Sequence, residues 1–369
     1  MLEGPPNEEQ SEVRQPRRWL RWAMPIGAGV LVAGAVGGIV LAQQPSDAPS
    51  GATGPKQAWK PRFMVTASRS GGASWFDIFD TTKTGQQDPI ASVEPPSPTA
   101  GSVASIVGGP GRTFVVAAVK TKPCETELYQ FTLTDDGHAK NIAPVTGGTV
   151  PALAAGLAIS PDGRRIAYAT APCGEKEADS PALATPTTMA VLDSVTGKRR
   201  TWTMTKPMIL GELVWASDNH TLGYTTGEFT QPTNGSRKVT VGKVQSRALD
   251  VDAEGSDLLS GRVLFDSAAE DGRLTMAVMN PDGRTGFGML QKKQPPSILM
   301  FSYAEGQPMK VTSTVPAEPN GTVPMISIAT NGGPRYACLS GLDAFGRESN
   351  GELRDRAMDR CSTAYETPS

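Results

Sequence analysis

Few residues in this chain are of types that do chemistry. Its 369 residues include two histidines, His138 and His220, set in the turn-like stretches "DDGHAK" and "SDNHTL". Histidine is the side chain that exchanges protons near neutral pH, but both histidines read as exposed turn residues. No Gly-x-Ser-x-Gly elbow, His-Glu-x-x-His helix or phosphate-binding loop occurs. "DVDAEGSDLLSG" (250–261) imitates the start of a calcium loop with Asp250, Asp252, Glu254 and Gly255. Gly261 stands where such a loop needs a bidentate glutamate, so the stretch reads as a structural turn. The four cysteines, Cys124, Cys173, Cys338 and Cys361, lack Cys-x-x-Cys spacing, which excludes a zinc site and points to disulfides. The expectation is therefore no catalytic residue, no metal and no cofactor.

The elements that would carry any site are strands and tight turns. In "LAISPDGRRIAYAT" (157–170), Leu157, Ile159, Ile166 and Tyr168 alternate with small or polar residues, the period of a β-strand. Between them Pro161 pre-sets the backbone for a turn, Asp162 suits its second position, and Gly163 takes the left-handed conformation that returns the chain. This head recurs in "SIVGGPGRTFVVAAV" (105–119) with Gly111, and in "LVWASDNHTLGYTT" (213–226) with Asn219. It recurs again in "VMNPDGRTGFGML" (278–290) with Asp282 and Gly283, and more weakly in "ISIATNGGPRYACL" (326–339) with Gly333. A second pattern, an apolar strand ending in an acidic or glycine turn, alternates with the heads, as in "WFDIFDTTKTGQ" (75–86) and "MAVLDSVTGKRR" (189–200).

A self-similar period of roughly fifty to sixty residues with four short strands per unit predicts an all-β chain, a β-propeller of about five to six blades, possible further ones lying in 226–245 or 340–369. A stacked β-sandwich with similar hairpins is the competing architecture. The "SPDGRRIAYA" head followed by the "LDSVTGK" tail resembles the TolB-like, PD40 (WD40-like) propeller repeat over residues 60 to 340. The resemblance implies a membrane-anchored protein of the kind frequent in actinobacteria. Because the chain begins with a tail and ends with a head, its N-terminal strands are expected to complete the sheet that its C-terminal strands begin, which removes an exposed edge. Three cysteine pairings are possible. Within the repeat, Cys124 and Cys173 both fall just past the second strand of neighbouring heads, favouring Cys124–Cys173 with Cys338–Cys361. Each bridge is worth roughly 3–4 kcal/mol in the chain-entropy account.

Residues 22–42, "WAMPIGAGVLVAGAVGGIVLA", carry no charge over the length of a bilayer-spanning helix. Arg14, Arg17, Arg18 and Arg21 precede them, and no basic residue follows until Lys56. That asymmetry predicts a cytoplasmic tail over 1–21, a signal anchor over 22–42, a Pro/Gly/Ser-rich linker over 43–57, and an extracytoplasmic domain over 58–369. A cleavable signal ending at Val40-Leu41-Ala42 is the alternative. With a net charge of −2, nucleic acid is not an expected partner.

The stretches 171–188 and 226–238 read as long loops, where binding residues on a rigid scaffold usually reside, and 351–366 reads as a short charged helix. The resulting expectation is a non-enzymatic binding or scaffolding module in the cell membrane for a protein, peptide or envelope ligand. The alternatives are a propeller hydrolase or lyase, and a sensor signalling through a separate partner.

Overall fold

The computed structural model describes residues 62–67, 74–80, 82, 88–171, 188–205, 208–230, 240–270, 272–316, 324–327, 336–339 and 363–365. Among these, the regular elements are strands and short 3-10 turns. Each head supplies two strands and each tail two more, so the repeat folds as a series of four-stranded antiparallel meanders.

The first sheet holds β1 (Phe63–Ala67), β2 (Phe76–Asp80) and β3 (Ala91–Val93). The second holds β4 (Ser102–Gly108), β5 (Thr113–Thr121), β6 (Cys124–Leu133) and β7 (Ala139–Val150). The third is β8 (Leu153–Ile159), β9 (Arg165–Ala171), β10 (Thr188–Asp193) and β11 (Arg199–Thr203). The fourth is β12 (Met208–Trp215), β13 (Thr221–Thr230), β14 (Thr240–Asp250) and β15 (Arg262–Asp266). The fifth is β16 (Arg273–Met279), β17 (Thr285–Lys293), β18 (Pro296–Ala304) and β19 (Lys310–Pro316). The weak last head becomes a two-stranded sheet of β20 (Pro324–Ser327) and β21 (Tyr336–Leu339). Finally β22 (Thr363–Tyr365) joins the first sheet beside β1, pairing Met64 with Tyr365. The first and last described strands thus share one sheet, as the tail-first order of the repeat implies.

The sheets are separate and stand in series. The first strands of successive sheets, β4, β8, β12, β16 and β20, touch in order, and β22 touches β4. This is not the two-sheet arrangement of a sandwich. The pairing of first and second strands carries a register shift in four successive sheets, between Val103/Ser105, Ala155/Ala158, Gly211/Val214 and Leu274/Met276. Such bulges raise local twist, and their recurrence shows that the repeat is one of geometry as well as letters.

Alternation along each strand sends side chains to both neighbouring sheets. On β9, Ile166 and Tyr168 join a cluster with Val115, Ala117 and Leu128 of the second sheet. Ala167 and Ala169 point the other way, into a cluster with Trp215, Leu222 and Tyr224 of the fourth. Trp215 is fully buried, and its indole Nε1 donates to the Ala158 carbonyl of the third sheet at 3.2 Å, which pairs the large apolar side chain with a satisfied polar end. Gly223 lets the fourth and fifth sheets approach closely, since a Cβ there would stand 2.6 Å from that of Met279.

Some expectations are corrected. The stretch 226–238 is not loop throughout: β13 runs on to Thr230, with Thr230 opposite Thr240 across the hairpin. The β-branched and aromatic residues of "TTGEFT" extend pairing where a long connection was expected. The stretch 351–366 is not helical at its end, where Thr363–Tyr365 is a strand. Cys124 opens β6 and is disulfide-bonded. Cys173 and Cys361, like Gly333 and the stretches 1–21, 22–42 and 43–57, lie outside the described residues. Among the described ones no helix is long and apolar enough to cross a membrane.

Candidate functional site

The turns that join first to second strands supply the site. In the third, fourth and fifth sheets they are the same turn in hydrogen-bonding terms. Ser160, Ala216 and Asn280 each donate their N–H to the carbonyl five residues on, at Arg165 (2.9 Å), Thr221 (2.8 Å) and Thr285 (2.8 Å). Gly163, Asn219 and Gly283 occupy the left-handed position, with φ of 73, 62 and 70, and Gly111 of the second sheet has φ of 63. The next residue of each turn also has one equivalent role. The carbonyls of Arg164, His220 and Arg284 accept from Ser194 N (2.8 Å), Val251 N (2.9 Å) and Glu305 N (3.2 Å), tying each turn to the β-turn between the third and fourth strands of its own sheet.

This equivalence makes departures from the pattern visible. Gly stands at the left-handed position in the other described heads, and Asn219 replaces it. Arg112, Arg164 and Arg284 follow it, and His220 replaces them. Thr113, Thr221 and Thr285 come next, and Arg165 replaces them. All three departures meet at the junction of the third and fourth sheets. His220 Nδ1 is hydrogen-bonded to Asp252 Oδ2. The Arg165 guanidinium lies 3.1 Å from Asp252 Oδ1 and donates to Oδ2 at 3.3 and 3.4 Å, and it also donates to the Asn219 carbonyl at 3.2 Å. The Asn219 side-chain oxygen accepts from Asp162 N at 2.9 Å.

The electrostatics follow from these contacts. Partial burial pushes the Asp252 carboxyl up, but the bonds from His220 and Arg165 outweigh it and hold the group below its ordinary value. Asp252 is therefore an anion at neutral pH and can only accept, so the proton on the shared bond belongs to His220 Nδ1. The imidazole is 59% exposed, and its Nε2 has no hydrogen-bond partner among the described residues. His138 differs: it lies 3.9 Å from Asp136 in an exposed turn and has no comparable orienting contact among the described residues.

The remaining turn acids are occupied with the backbone. Asp218 accepts from His220 N (2.8 Å), Thr221 N (2.7 Å) and the Thr221 hydroxyl (2.7 Å). Asp282 does the same for Arg284 N, Thr285 N and the Thr285 hydroxyl. Burial pushes both carboxyls up, but these bonds prevail and hold them low. With Arg at 165, Asp162 accepts instead from Arg164 N (3.0 Å) and the Ser160 hydroxyl (2.5 Å). Every carboxyl among the described residues whose pKa is resolved as shifted is lowered. None is thereby kept protonated near neutrality to act as an acid. The 250–257 stretch is the turn after β14, with Asp250 accepting from Asp252 N at 2.9 Å. No group of three or more His, Cys, Asp or Glu among the described residues is placed to hold a metal.

Sequence reasoning placed Asp162, Gly163, Asn219, Asp282 and Gly283 in these turns and read His220 as an exposed turn residue, which it is, without anticipating its contact with Asp252. The one signal present in the sequence was that three departures from the repeat lie in consecutive heads.

No family model matches this sequence, and no curated protein sequence matches it. Among solved structures, the chain is similar to TolB from Acinetobacter baumannii (14% identity, 84% of this chain and 67% of that chain covered, TM-score 0.45). It is also similar to a prolyl endopeptidase (15%, 57% and 29%, TM-score 0.37). A third is the dipeptidyl peptidase 4 of Porphyromonas gingivalis (9%, 68% and 38%, TM-score 0.36). The chain spans well under two thirds of the two peptidases' own length. The expectation of a non-enzymatic binding or scaffolding module is corrected at this point. Several of the similar structures are peptidases, and the histidine set aside as a bystander is held by a carboxylate. The likenesses are too distant to argue for a particular activity, so the chemistry rests on the geometry.

Proposed function

We propose that the sheets are blades of a β-propeller, carried outside a membrane on the anchor of residues 22–42, and that the chain is a hydrolase with His220 as its general base. In this reading Asp252 holds the Nδ1–H, leaving the Nε2 lone pair to take a proton from water. The water oxygen bonds to the carbonyl carbon of an ester or amide substrate. The proton passes from Nε2 to the leaving group as its bond to that carbon breaks, which restores His220. Positioned proton transfer of this kind contributes about 10²–10⁴-fold, and an aspartate that fixes the imidazole tautomer is the usual means of orienting it.

One observation carries the reading. The residues that make this turn in the sister sheets are glycine, arginine and threonine, and they suffice to fold it. At a single junction all three are replaced: His220 and Arg165 both contact Asp252, and Asn219 takes Arg165 on its carbonyl and Asp162 N on its side chain. Folding alone does not require that coincidence.

The test is a panel of chromogenic esters and peptide anilides, assayed with the full-length protein in detergent and with His220→Gln. Turnover by the wild type that the variant loses, with its melting temperature kept, is the expected result. Equal turnover by both proteins overturns the assignment to His220, and no turnover on any substrate by the folded wild type counts against the reading as a whole.

A further inference from the structure

We infer that Arg165, reaching across from the third sheet, is the positioning residue that holds Asp252 so that His220 keeps its proton on Nδ1 and leaves Nε2 open. The inference rests on the reading of His220 as a base. It assigns that site a component from a second sheet.

A carboxylate that is 47% exposed at the tip of a turn has rotational freedom that one bond to a still more exposed imidazole does not remove. Arg165 supplies the missing restraint. Its side chain is only 26% exposed. Its guanidinium spans both carboxylate oxygens and is itself anchored on the Asn219 carbonyl. A planar donor fork is suited to fixing a carboxylate in this way, and lysine is not. The Asn219 peptide is held in turn from the third sheet, where Asp162 N donates to its side chain. The ring itself is held by Asp252 at Nδ1, and the His220 backbone that carries it is fixed by its N–H on Asp218 and its carbonyl on Val251 N.

Position 165 is also where the fold has an alternative. Threonine at the equivalent positions returns its hydroxyl to the turn aspartate, as Thr221 does to Asp218 and Thr285 to Asp282. With arginine there, that bond is absent, and the Ser160 hydroxyl takes Asp162 instead. The arginine thus replaces a local turn bond with a contact to the next sheet. Nothing in the sister turns shows that exchange to be needed for folding.

The experiment is long-range ¹⁵N–¹H correlation of the His220 ring at neutral pH in the full-length protein, Arg165→Thr and Arg165→Lys, with melting temperatures for all three. The wild type is expected to show the Nδ1–H form. Arg165→Thr keeps the fold and loses the dominance of that form, with kcat down at least about tenfold at unchanged KM, and Arg165→Lys falls between. An unaltered Nδ1–H form in Arg165→Thr overturns the inference, whatever becomes of activity. A lower melting temperature with the tautomer kept identifies Arg165 as a brace between sheets only and equally overturns it. A tautomer that shifts in a protein with no turnover supports the positioning role while sinking the hydrolase reading, so the two fail separately.

Discussion

Replacing Asp252 with Asn tests the site with little change of shape. The new side chain presents one oxygen and one NH2 where two oxygens stood, so its NH2 must face either the guanidinium beside Oδ1 or the imidazole beside Oδ2. If the oxygen keeps Arg165, the NH2 faces Nδ1 and demands the opposite tautomer, placing the proton on Nε2. The cost to stability is small, because His220 and Asp252 are 59% and 47% exposed and an exposed ion pair is worth about 0–1 kcal/mol. With a second contact to Arg165 also weakened, the loss is about 1–2 kcal/mol, and the melting temperature moves by no more than several degrees. The cost to turnover is larger. Loss of the correct tautomer removes general-base catalysis worth about 10²–10⁴-fold, so kcat falls at least about a hundredfold while KM holds. The assay is steady-state turnover on the best substrate of the panel, beside differential scanning fluorimetry. An Asp252→Asn protein that keeps its kcat refutes the reasoning, and so does one that unfolds, since the contact would then be structural.

Three further outcomes follow from the fold. Trp215→Ala empties a fully buried indole site between the third and fourth sheets and leaves the Ala158 carbonyl without its donor. A loss of about 3–5 kcal/mol in urea unfolding is expected, and under about 1 kcal/mol contradicts the packing described. Asp218, Asp252, Asp266 and Asp282 all have lowered carboxyls, so their stabilisation is present above the ordinary value of 3.8 and is lost as pH falls through the lower folded values. Melting temperatures are expected to decline below about pH 4 and to recover in part for Asp282→Asn relative to its own neutral value. Deleting residues 363–369 removes β22 and exposes the edge of β1. Native-state hydrogen exchange at Met64–Thr66 is expected to accelerate while that of β9 stays slow, and equal protection of β1 in both proteins contradicts the pairing.

The turns and the site differ in how far each could be read from sequence. Gly163, Asn219 and Gly283 were legible because a left-handed position is a local demand met within four residues. The return of β22 to β1 was legible from the order of heads and tails alone. The site was not, because its bonds span chain distance: His220 meets Asp252 across 32 residues and Arg165 meets it across 87. The first contact exists only once the strands of the fourth sheet are paired and the second only once two sheets are in register, and register between sheets is set by buried alternation on both faces of strands such as β9. The extension of β13 to Thr230 was missed for a related reason. Strand length past a turn is decided by the partner strand, and β14 supplies Thr240 and Val241 as partners.

The most direct measurement reverts the junction to its own repeat, as Arg165→Thr, Asn219→Gly and His220→Arg in one full-length chain. The account predicts a protein that folds, with a melting temperature within a few degrees of the wild type, and that has lost turnover on every substrate the wild type cleaves. A reverted chain that still turns over substrate contradicts the account. So does one that no longer folds, since the three departures would then serve the fold and not the chemistry.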